Sequence, residues 1–147
     1  MGRRHKRYRK KKPKYEYKYV EPTPEYIYNA NFKLEIKKSN IDCGGNGVFT
    51  TEPIKANTII GEYIGDLKEP GYAHDFGRYC VETDSGKLID AFLYPRTVMA
   101  MINDAHGTKF QNNCKFITHQ LTAEVISTTD IEANQELFLY YADSYWT

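Results

Sequence analysis

From Phe32 onward the side chains alternate. Phe32, Leu34 and Ile36 are apolar, whereas Lys33, Glu35 and Lys37 are charged. A period of two is that of a strand with one buried face. Thr58 to Ile64 is a β-branched and aromatic run, which also suits a strand. Phe76 to Glu82 reads as a strand, Asp84-Ser85-Gly86 as a turn, and Lys87 to Asp90 as the returning strand. Cys114 to His119, Leu121 to Ser127 and Leu137 to Tyr141 read as three more. One helix is predicted, from Pro95 to about Asn103: proline suits a first helical turn, and Val98, Met99, Met101 and Ile102 supply an apolar face. Glycines 44, 45 and 47 predict a tight turn, Pro53 and Asn57 bracket another, and Glu69-Pro70-Gly71 breaks the chain again. Many short strands and one short helix predict a mainly β domain.

Before Phe32 the pattern is different. Residues 15–28 set Tyr against Glu and Lys, with Pro22 and Pro24, and show no core periodicity. They read as an extended linker. Residues 1–14 carry nine of the twenty Lys and Arg, and no acid. Residues 1–30 are therefore expected to form a disordered, basic and Tyr-rich arm, and 31–147 the folded domain.

The net charge of +1 conceals this division. Without residues 1–14, eleven basic residues face all nineteen acids, a balance of −8. Such an arm suits a polyanion, and such a body suits a cationic partner. The arm also has a plain reading as a solubilising or targeting tail. Cys43, Cys80 and Cys114 are odd in number and widely spaced, which points to reduced thiols in an intracellular protein. Without a Cys-x-x-Cys pair, a structural zinc site has no support. No apolar run approaches the roughly 20 residues that span a bilayer, so no membrane partner is expected.

Four blocks carry the candidate chemistry: Gly44-Gly45-Asn46-Gly47-Val48-Phe49, then Gly61-Glu62-Tyr63-Ile64-Gly65, then Met101-Ile102-Asn103-Asp104 with Asn112-Asn113-Cys114, and finally Glu136-Leu-Phe-Leu-Tyr-Tyr141-Ala-Asp143-Ser-Tyr145-Trp146. In this order and at these distances they resemble the SET-domain protein lysine methyltransferases, over about residues 40 to 147. In size and ending the chain is similar to the compact viral SET proteins, which implies a viral or microbial enzyme.

The resemblance implies a β-clip-like fold of several small sheets, with a pseudoknot-like threading of the C-terminal segment beneath the Asn103 loop. It implies an enzyme that uses S-adenosylmethionine to methylate protein lysine. Gly45, Asn46, Gly47, Asn103, Asp104 and Trp146 are then the cofactor-binding candidates. Tyr141 and Tyr63 are the catalytic candidates, and they line the substrate channel with Leu139. Relatives usually have Asn-His-Ser-Cys where this chain has Asn103-Asp104-Ala105, and the segment 106–111 is longer here. Where relatives place Phe or Tyr two residues before the catalytic tyrosine, this chain has Leu139, which cannot hold a water. Di- or trimethylation is the expectation. The implied partner is a basic protein, a histone tail above all, with DNA or nucleosome contact through residues 3–14. Localisation to the nucleus, or to a host nucleus for a viral protein, follows from that partner, and some compact relatives form homodimers.

Plainer readings stand beside these. The glycine turn can be a hairpin, Asn103 a helix end, and both tyrosines core residues. Cys114 reads as core and not as a nucleophile paired with His119, and His74, His106 and His119 lack metal-ligand spacing. A catalytically inactive module caging methylated lysine in aromatic rings is the main alternative. A protein that mainly binds nucleic acid through its arm is the third.

Overall fold

The computed structural model describes residues 30–42, 45–73, 78–92 and 97–142. Among the described residues, the strands form three small sheets. In the first, β1 (Leu34–Lys38) pairs antiparallel with β2 (Asn46–Thr50). The alternation that predicted β1 appears as a ladder, with Leu34 opposite Thr50 and Ile36 opposite Val48. β3 (Ile59–Glu62) opens the second sheet, and β4 (Asp66–Lys68), β5 (Cys80–Glu82) and β6 (Leu88–Asp90) form the third in the order β4-β6-β5. β7 (Cys114–Thr118), β8 (Ala123–Ser127) and β9 (Leu139–Tyr140) complete the second sheet in the order β3-β8-β7-β9. β9 runs parallel to β7, whereas the other pairings are antiparallel.

One core joins the sheets. Val48, Ile60, Tyr63, Val125, Leu137 and Leu139 are all fully buried in it, together with Val98 and Ile102 from the segment before the Asn103 loop. Burial of each such aliphatic side chain contributes on the order of 1.5–3 kcal/mol relative to exposure. A smaller cluster of Ile41, Ala105 and Phe138, with Phe110 packed against it, lies under the same loop.

The predicted helix is much shorter than its apolar residues implied. Among the described residues it is a single 3-10 turn, Val98–Met101, capped by the Thr97 hydroxyl accepting from Met99 N–H. Pro95 and Arg96 lie outside the described residues. Two forces end it early. Ile102 is already extended, with φ −72° and ψ 130°, and Asn103 is recruited into a bridge with Phe138. A 3-10 segment with Val98, Met99 and Ala100 all buried needs no amphipathic stripe.

Of the predicted glycine turn, Gly44 lies outside the described residues, and Asn46 and Gly47 already belong to β2. The strand expected from Phe76 begins at Cys80, after a turn at Arg78 and Tyr79. β4 was not expected at all. It is three residues long and mostly exposed, so its only signal is its pairing with β6. No helix among the described residues is long and apolar enough to cross a membrane.

Candidate active site

The last strand is gripped from both sides. On one side Asn103 bridges Phe138 in parallel, and Leu139 N–H donates to the Asn103 carbonyl at 2.8 Å. On the other, Asn113 N–H and Cys114 N–H both donate to the Phe138 carbonyl at 2.9 Å. Side chains close the grip: Phe138 N–H donates to Asn113 Oδ1 at 2.8 Å, and Asn113 Nδ2 donates to the Glu136 carbonyl at 3.0 Å. Segment 136–141 therefore passes between the two arms of the 103–113 loop. This is the threading that the sequence resemblance implied, a rare departure from unthreaded topology.

Tyr141 is the residue the grip delivers. It is buried, and its hydroxyl donates to the Ile102 carbonyl at 2.6 Å. Its backbone N–H donates to Asp104 Oδ2 at 2.9 Å. The chain then turns sharply at Ala142, whose φ of 126° lies where side chains are disfavoured. Beside Tyr141 opens a hollow of about 350 Å³, lined by Val81, Glu82, Lys115, Phe116, Tyr140 and Tyr141, with Thr118 and Ala142 at its border. The lining joins β5, β7 and β9.

Tyr63 and Leu139 occupy different places from Tyr141. Tyr63 is fully buried, donates its hydroxyl to the Tyr79 carbonyl at 2.7 Å, and meets Phe116 edge-on at 5.6 Å. It packs against Phe116, which lines this hollow with Tyr140 and Tyr141. The reason is pairing: Tyr63 N–H extends the β3–β8 ladder by donating to Ala123 O, and the side chain points into the core. Leu139 is likewise fully buried, opposite Cys114 on β7. Tyr140, not Leu139, is the exposed member of the strand and reaches the hollow. Glu82, Lys115 and Phe116 carried no motif, and Tyr140 was named only as part of one. A single sequence gives no sign that β5 and β7 converge on one face.

The glycine block joins the Asn103 loop directly, through Asn103 Nδ2 donating to the Asn46 carbonyl at 3.0 Å. Gly45 and Asn46 are exposed, whereas Gly47 is buried. A Cβ on Gly47 would strike the Glu136 carboxylate. That carboxylate is buried and accepts from Ser39 Oγ at 2.6 Å and from Asn40 N–H at 2.7 Å. Gly47 thus makes room for a carboxylate that ties the start of the last segment to the β1–β2 connection. Glu136 is a site-building residue that the sequence reading named only as part of a motif. Trp146 lies outside the described residues.

Cys114 is not a nucleophile. Burial pushes its thiol up to about 12, and its Sγ donates to Asn113 Oδ1 at 3.3 Å. His119, the partner weighed for it, lies just past the far end of β7 and contacts Glu124 Oε1 at 2.9 Å on the exposed side.

The SET domain family model matches residues 45–142. The chain is 24% identical to the histone-lysine N-methyltransferase EZH2 of Chaetomium thermophilum, over 74% of this chain but only 8% of that protein's length. In structure it superimposes on the methyltransferase domain of human PR domain-containing protein 2 with a TM-score of 0.68 at 18% identity, covering 88% of this chain and 92% of that one. A humanized mutant of the Chaetomium thermophilum Polycomb Repressive Complex 2, bound to the inhibitor GSK126, gives 0.62 at 25% identity, covering 79% of this chain and 16% of that one. The fold, the threaded last strand and the matched span agree, and the chain belongs to the SET domain family.

Proposed function

We propose that this protein is an S-adenosylmethionine-dependent protein-lysine N-methyltransferase with Tyr141 as its catalytic residue. One observation carries the reading: a buried tyrosine, fixed at hydroxyl and backbone, borders a hollow open to a side chain from outside. A phenol that donates its proton to the Ile102 carbonyl can still accept from an amine N–H. That contact orients the lysine nitrogen along its line of attack without the phenol competing as a nucleophile. A lysine free in water is protonated at neutral pH, its pKa being near 10.4. An apolar channel disfavours the ammonium and lowers that value.

The residues around Asn103 fit the methyl donor. Exposed Gly45 and Asn46 lie beside buried Asn103, whose Nδ2 donates to the Asn46 carbonyl. S-adenosylmethionine, when bound, supplies an electrophilic methyl group on a sulfonium. Gly45, Asn46, Asn103 and the main chain of Asp104 would hold it, and Trp146 joins them by resemblance alone. Tyr63 then acts through packing against Phe116. Di- or trimethylation belongs to the same reading, because Leu139, apolar and buried, offers no hydrogen bond to a water.

The substrate class we infer is a basic protein segment, a histone tail in the first instance, and the nucleus is the corresponding compartment. Residues 3–14 would add salt-sensitive phosphate contacts with DNA, and a homodimer belongs to the same reading. The test is transfer of labelled methyl groups from S-adenosylmethionine to core histones. Loss of Tyr141's hydroxyl in Tyr141→Phe should lower kcat by roughly 10²-fold or more, while the stability lost with one hydrogen bond stays near 1 kcal/mol. Equal transfer by Tyr141→Phe ends the catalytic assignment. Binding of pre-methylated peptide without any transfer supports the inactive module instead.

A further inference from the structure

We infer that Asp104 is a positioning residue for Tyr141, and that it compensates in this chain for the longer loop that follows it. The inference deepens the methyltransferase reading and rests on it. Asp104 is buried, and three donors converge on its carboxylate. Oδ2 accepts Tyr141 N–H at 2.9 Å, across 37 positions of sequence. Oδ1 accepts His106 N–H and Asn112 Nδ2, both at 2.9 Å. Asn112 is itself set by accepting Ala105 N–H at 2.9 Å. One carboxylate therefore closes both ends of the 105–112 loop and holds the backbone from which the catalytic phenol projects.

The chemistry admits few substitutes. All three groups donate, so they need a side chain that only accepts and has two oxygens. An amide would turn its NH₂ toward one of the donors. An imidazole, the group relatives place here, has at most one acceptor nitrogen and could not serve three donors, two from the loop and one from Tyr141. The two departures from the family pattern, the aspartate and the lengthened loop, thus belong together. With Tyr141 N–H on Asp104 and its hydroxyl on the Ile102 carbonyl, segment 102–104 fixes the tyrosine at both ends. Displacement of a reacting group by about 1 Å is enough to cost on the order of 10²-fold in rate.

The experiment compares Asp104→Asn with Thr108→Val, a change in the same loop that removes hydrogen bonds to Ala105 and Phe110 without touching Asp104. Transfer to core histones, thermal midpoint and hydrogen exchange at the Tyr141 amide are measured for each. Asp104→Asn should lower kcat at least about tenfold and speed exchange at Tyr141. Thr108→Val should keep kcat within about threefold even where its midpoint falls as far. A kcat loss shared equally by both variants at equal midpoint, or unchanged kcat in Asp104→Asn, overturns the inference. Rapid exchange of the Tyr141 amide in the unmodified chain overturns it whether or not the variants fold. Failure of the unmodified chain to transfer any label is a different result: it removes the methyltransferase reading, and the positioning role with it.

Discussion

The two sides of Tyr141 are built on opposite principles. Behind it, segments 102–114 and 136–141 are knit by backbone hydrogen bonds, by buried Asn103, Asp104 and Glu136, and by half-buried Asn113. In front of it, the hollow is walled by side chains of unlike character: Phe116, the charged Glu82 and Lys115, and half-exposed Tyr140. Backbone pairing is insensitive to most side-chain changes, so the knit side can stay constant while the open side varies. The difference assigns geometry to one side and recognition to the other. Loss of Tyr141's hydroxyl, with its roughly 10²-fold effect on kcat, is the largest expected effect because it acts where the two sides meet.

Next in size is a change at the joint between the sheets. A Cβ on Gly65 would sit 2.9 Å from Ala91 N and closer still to the Asp90 carbonyl, which is backbone and cannot swing aside. Gly65→Ala should therefore destabilise by about 2–3 kcal/mol, the upper part of the overpacking range. For a domain of this size that is a thermal midpoint lower by about 5–15 °C. A midpoint within about 2 °C of the unmodified chain would mean that the β3–β4 connection is loose and the joint imaginary.

The open side should show smaller effects of another kind. If Glu82 receives a cation flanking the target lysine, Glu82→Lys should raise KM for a basic peptide by about two- to fivefold and spare kcat, the scale of an exposed ion pair. Lys115→Glu should shift KM the opposite way. A fall in kcat with constant KM in either variant would place these charges in the methyl-transfer geometry and erase the division drawn here.

That division also explains what could be read from the chain. β1, β7 and β8 were legible because alternation or β-branching records a buried face: Leu34, Val125 and Ala123 point in where the pattern says they should. β4 was not legible, since Asp66, Leu67 and Lys68 bury little and are defined by a partner some twenty residues away. The helix was overestimated because Ile102 and Asn103 are apolar and polar in helical order, yet β9 takes them as its neighbours. Asn103 and Tyr141 were identifiable by motif. The geometry linking them was not, because Asp104 meets Tyr141 only after the last strand has passed through the loop. Tyr63 shows the converse: a motif singled it out, but its ring packs against Phe116 and its hydroxyl is held by the Tyr79 carbonyl.

The smallest effect tests how tightly the knit side is sealed, and Cys114 is its reporter. Its thiol has an ordinary value of 9.0 and is raised to about 12 by burial. The unfolded chain therefore gives up this proton near pH 9, whereas the folded chain keeps it until about 12. Between those values the folded state binds more protons than the unfolded one, so stability falls as pH rises. The contribution of the neutral thiol is complete below about 9 and is lost progressively toward 12. At pH 8 an alkylating reagent should leave Cys114 unmodified in the folded protein and label it fully in guanidinium, as read from the mass of its peptide. Prompt labelling of Cys114 without denaturant would show that solvent and thiolate reach the junction of β7 and β9. A junction open to solvent could not hold Tyr141 still, and the contrast between a fixed back and an adaptable front would have to be abandoned.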